Sequence, residues 1–173
     1  MGIFFPSNGL PPNGGIPVKL KLCVLLLGIS VMLGCSRTYR FYPVQGPLST
    51  KTPSPVLVAK MTGAISSGSI SVVLSDGEVC TGRWAEVPRI QVPKGANTAI
   101  APADNLSSVW DTVYGSGYYV SHVLGARSAR GMISGNRGTV LNVELYATPE
   151  GEHTFVIKGV AQDNKDNIYK VVY

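Results

Sequence analysis

The sequence predicts a mainly β fold: an antiparallel small barrel or two-layer sandwich of about seven strands with one short helix. Three observations predict it. Apolar residues alternate in short runs, as in Ser69–Ser75, where Ile70, Val72 and Leu74 share a face. Turn-forming clusters separate the runs at Asp76-Gly77, Gly135–Gly138, Thr148–Gly151 and Asp163–Asn167. A helical stripe occurs once, with Leu106, Val109, Trp110 and Val113 at i, i+3, i+4 and i+7. Closure of the sheet is expected, because open edges in so small a sheet are templates for aggregation.

The chain divides into residues 1–34, 35–55 and 56–173. Residues 1–17 are uncharged and rich in turn formers, unlike the positively charged start of an export signal. Translation is therefore expected to begin at Val18, from a GTG codon. Lys19 and Lys21 then lead into the apolar run Leu22–Gly34, which is closed by Cys35. That run falls short of the ~20 apolar residues that span a bilayer. It has the length of a secretory signal core, about 7–15 residues.

Lys19 to Cys35 resembles the signal of bacterial lipoproteins, in which a small residue precedes a lipid-modified cysteine. Gly34 fits the cleavage position, and Met32 departs from the leucine more usual there. The resemblance implies a diacylglycerol on the Cys35 sulfur, often with a third acyl chain on its amine. Each buried CH₂ contributes ~0.8 kcal/mol, so more than one chain is needed for stable anchoring. Ser36, where an Asp would favour the inner membrane, implies the outer membrane, with the protein facing the periplasm. Two further stretches, Asp76–Trp84 and Gly159–Tyr173, are similar to those of small proteobacterial lipoproteins; no functional residue is carried over from them.

Residues 35–55 read as the lipidated cysteine and a flexible tether, broken by Pro43, Pro47, Pro53 and Pro55. Val56–Met61 begins the domain, and Ser69–Ser75 follows. Asp76-Gly77 is a hairpin turn, since both residues tolerate positive φ. Glu78–Trp84 returns, with Cys80, Gly82 and Trp84 on one face. Gly82 marks a bulge, or room for the Trp84 ring or another backbone. Residues 86–105 read as a long connection. Asp104 or Asn105 can cap the helix, Gly115 stops it, and Leu106, Val109, Trp110 and Val113 are expected to plug a barrel end. Residues 118–124 read as a strand. Arg130–Ser134, Thr139–Tyr146, His153–Gln162 and Ile168–Tyr173 then form strands on tight turns, with Leu141, Val143 and Leu145 inward.

Composition limits the function. Removing residues 1–34 from the 173 leaves 139, enough for one domain with a core. Both signal lysines leave with them, so 13 of the 15 Lys and Arg face 10 Asp and Glu, a net charge of +3. These charges are scattered, whereas nucleic-acid binding calls for a basic stripe. Cys80 is the single cysteine left besides Cys35, so no internal disulfide is expected. It is either a buried core residue or a reactive thiol.

No catalytic constellation emerges. His122 and His153 are not spaced as zinc ligands. Asp163–Asn167 has a lysine where a calcium loop needs oxygen and lacks the later Glu. No serine occupies a Gly-x-Ser-x-Gly elbow, and no cofactor is expected. The candidate binding surface is Trp84, Trp110, Tyr114, Tyr118 and Tyr119, whose rings combine rigid area with a polar atom, together with Arg127 and Arg130 for an acidic partner. The expectation is a non-enzymatic, lipid-anchored envelope protein that binds another envelope protein or a cell-wall component. The alternatives are a carrier of a small apolar ligand and an envelope enzyme or inhibitor that uses Cys80.

Overall fold

The structure, a computed structural model, describes residues 36–64, 66–87, 106–150 and 154–173. Cys35, the signal region, Asp104 and Asn105, which were expected to cap the helix, and His153 lie outside the described residues; the N-cap position is Leu106, without a side-chain cap. The strands are β1 (Ser36–Gln45), β2 (Leu57–Gly63), β3 (Ser67–Val73), β4 (Val79–Val87), β5 (Ser128–Gly135), β6 (Val140–Pro149), β7 (Phe155–Asp163) and β8 (Ile168–Val172). Helix α1 (Ser107–Tyr114) and one π-helical turn, Tyr119–Val123, lie between β4 and β5. Each strand pairs antiparallel with the next, and β1 pairs with β8 to close an eight-stranded barrel.

The extra strand corrects the tether reading. Residues 36–45 are not a spacer; they are the closing strand, in register with β2 and β8. Tyr39 and Phe41 point inward and are buried, while Thr38, Arg40 and Tyr42 face out. Pro43 is tolerated because it lies beyond the last β1–β2 pair, Phe41 with Leu57, and beside a register shift against β8. The loop from Gly46 to Val56 then turns the chain into β2.

The barrel interior is filled by side chains. Phe41, Ala59, Cys80, Ile133, Leu141, Ala161 and Tyr169 are fully buried there. Inward glycines face bulky partners: Gly131 pairs with Trp84, and Gly159 with Leu145. Gly82 makes no bulge, because β4 holds register with both neighbours. A Cβ there would run into the Met132 carbonyl oxygen, so the glycine admits the backbone of β5.

Helix α1 does not plug an end. It lies on the outside of β6, β7 and β8, where Val109 and Trp110 meet Tyr146, Val160 and Ile168. Residues 118–124 are not a strand either. The run is rich in strand-favouring residues, but buried Tyr119 and Val123 are four apart and share a helical face. The amide of Tyr119 donates to Asp111 Oδ1 at 3.0 Å, and Leu124 N–H reaches Tyr119 O at 2.9 Å to close the π turn.

The two barrel ends differ. At one, four connections are stitched together by polar groups. Glu78 Oε1 accepts from the amides of Arg137 and Thr139 at 2.9 and 3.2 Å, and its other oxygen accepts from the Thr139 hydroxyl. Asp163 accepts from the amides of Lys165 and Asn167 and from the Tyr169 hydroxyl. Its oxygens are thus committed to the 163–167 turn. Asn167 Oδ1 in turn takes the Leu48 amide at 2.8 Å. At the other end the chain enters at Ser36, β8 finishes, and the Tyr173 ring lies tilted against Tyr39 with centroids 5.4 Å apart.

Candidate binding surface

The site is built on a helical row with a spacing of four. Trp110, Tyr114, Tyr118 and His122 follow one another along α1 and the π turn, and their rings cluster: the first three stack on one another, with Trp110 also 6.0 Å from Tyr118, and His122 is tilted against Tyr118. Centroid separations are 5.4 Å, 4.8 Å and 4.5 Å along the row. Residues four apart on a helix lie over one another, and the Gly115–Gly117 turn preserves the row across the break. The row runs from a fully buried ring to an exposed one: Trp110 has no exposed surface, the two tyrosines are half-buried, and His122 is exposed.

The inner end is anchored by charge. Trp110 Nε1 donates to Glu144 Oε2 at 2.9 Å, and Arg130 Nε donates to Glu144 Oε1 at 2.8 Å. Glu144 points outward from the barrel, as alternation along β6 requires, yet it is only 1 % exposed because α1 covers it. A buried carboxylate is tolerated only when its oxygens are satisfied, and here both are. Tyr146 meets the Trp110 ring edge-on, with centroids 5.7 Å apart.

The two tyrosines carry cations. Lys158 Nζ lies 3.3 Å from the Tyr118 hydroxyl and 5.7 Å from that ring's centroid. Lys170 Nζ stands 5.3 Å from the centroid of Tyr114. Both are within cation–π range. Among the described residues neither lysine forms an ion pair with a carboxylate. Burial pushes the phenols of Tyr114, Tyr118 and Tyr119 above the usual range, and the Tyr146 hydroxyl adds to the shift at Tyr118. They remain neutral hydroxyls, fitted to hydrogen bonding rather than to proton abstraction or nucleophilic attack.

The residues singled out in the sequence separate into groups. Trp110, Tyr114 and Tyr118 come together, while Tyr119 is buried beneath them against the sheet. Trp84 is elsewhere: it packs on the barrel interior and donates from Nε1 to Thr62 O at 3.1 Å. Arg127 grips Glu86 with two hydrogen bonds of 2.6 and 2.8 Å, and Arg130 is the ion-pair partner of Glu144. Cys80 lies inside the barrel, where burial and then the Glu78 charge raise its pKa and keep it a thiol. Among the described residues no group of His, Cys, Asp and Glu is arranged to hold a metal ion.

Sequence reasoning missed His122, Lys158 and Lys170 as members of the site. The fourfold spacing of Trp110, Tyr114, Tyr118 and His122 was the available signal, obscured by the two glycines inside it. The lysines carried none, since they come from β7 and β8 and reach the stack only through barrel closure. No protein family, curated protein or solved structure matches this chain.

Proposed function

We propose that this is a lipid-anchored envelope protein, facing the periplasm from the outer membrane, that acts as a non-enzymatic binding module. Cys35 would carry the lipid, and the Tyr114–Tyr118–His122 ledge with Lys158 and Lys170 would be the recognition surface. The observation that carries the reading is the aromatic cluster, half-buried at Tyr114 and Tyr118 and exposed at His122, with two ammonium groups against the tyrosine rings that have no carboxylate partner among the described residues. A ring face beside cations suits a partner that presents a flat or sugar-like surface next to an anionic group. A cell-wall component, or an envelope protein with an acidic segment, has that chemistry.

A photo-activatable residue at His122, in intact cells, tests it. The expected result is a captured envelope component that disappears when Lys158→Glu is added. Capture no stronger than from a probe at Asn136, on the opposite barrel end, would overturn the surface. Radiolabelled palmitate tests the anchor: an unlabelled product retires it.

A further inference from the structure

We infer that the barrel end bearing Phe155 and Tyr173 rests directly on the lipid surface, so that the protein sits flush on its membrane. This inference rests on the proposed anchoring at Cys35. The first argument is reach. Ser36 is already the first residue of β1, paired with Thr62 of β2. One peptide step, about 3.8 Å between Cα atoms, therefore separates the anchoring residue from the barrel wall, and no spacer lies between them.

The second argument is which end the chain enters. Because all neighbours are antiparallel, the start of β1, the end of β8 and the start of β7 lie at one rim. That rim carries Phe155 and Tyr173, 69 % and 67 % exposed. Both belong to the inward-facing register of their strands: Phe155 opens β7 at the rim, and Tyr173 follows the last residue of β8, its ring against Tyr39. An exposed tyrosine ring favours the boundary between headgroups and acyl chains, and an exposed phenylalanine ring favours burial against the acyl chains. The third argument is charge. Asp76, Glu78, Asp163 and Asp166 belong to the opposite, stitched end, where Lys51, Arg137 and Lys165 offset most of their charge. Arg37, Arg40 and Lys60 flank the entering chain on β1 and β2. Glu86 and Glu150 are the described side-chain carboxylates nearest this rim, and Glu86 is held by Arg127. An anionic phospholipid surface complements that distribution.

The test uses the full acylated chain in vesicles of phosphatidylethanolamine and phosphatidylglycerol. Thr154→Cys, beside Phe155, and Asn136→Cys, at the far end, are each labelled with an environment-sensitive dye under native conditions. Nitroxide-bearing lipids should quench the dye at 154 at least threefold more than at 136. Equal quenching at both positions, in protein that is acylated by mass and floats with the vesicles, overturns the orientation alone. Protein without an acyl mass increment overturns the anchor and the orientation together.

Discussion

Glu78 concentrates the chemistry of the stitched end in one side chain. The Thr139 hydroxyl, the amides of Arg137 and Thr139, and Lys165 bring its pKa from 4.5 down to about 2. The folded state therefore binds that proton less readily than the unfolded chain does. The stability it contributes is fully present above pH 4.5 and is lost as pH falls through about 2. Glu78→Gln should lower the thermal midpoint at neutral pH and flatten its decline between those two values. A variant that keeps the wild-type acid profile, followed by circular dichroism, would show that the carboxylate is not the group responsible. Such a role was not legible in the sequence, where Glu78 is one residue after a hairpin glycine. Its partners come from the β5–β6 and β7–β8 turns, far along the chain.

Strands and helix were legible to different degrees, and the reason is locality. The stripe of Leu106, Val109, Trp110 and Val113 is a local pattern, so the helix was readable; its seat on β6–β8 depends on contacts no local pattern encodes. Alternation likewise exposed the inward set Leu141, Val143 and Leu145, but it could not show that α1 would cover outward-facing Glu144. In β1 one signal masked another. The prolines argued for a linker, and the alternation that buries Tyr39 and Phe41 went unread. Gly82 allowed three readings, and the close approach of β5 selects one. Gly82→Val should cost about 3 kcal/mol by forcing β4 from β5, measured by denaturant unfolding. A loss under 1 kcal/mol would mean that the strands separate there at little cost.

At the scale of the molecule, barrel and sandwich differ by one pairing, that of β1 with β8. Nothing local could decide it, because Arg40 and Val172 are partners from opposite ends of the domain. Deleting residues 36–45 should leave β2 and β8 with bare edges and yield aggregated protein, whereas a chain beginning at Ser36 should stay monomeric on size exclusion. A soluble, folded product without β1 would contradict closure. The helix laid against one side of the cylinder also gives it an uneven clock. Strands β6 and β7 are sheltered on the inner face and, where the helix lies, on the outer one, while Val58, Val73 and Val79 of β2, β3 and β4 stand about half-exposed in a row. Deuterium should thus enter the amides of β2 and β3 well before those of β6 and β7. A uniform uptake around the circumference would mean that the wall opens as one unit; a graded one makes the thinly clad side the place where breathing begins.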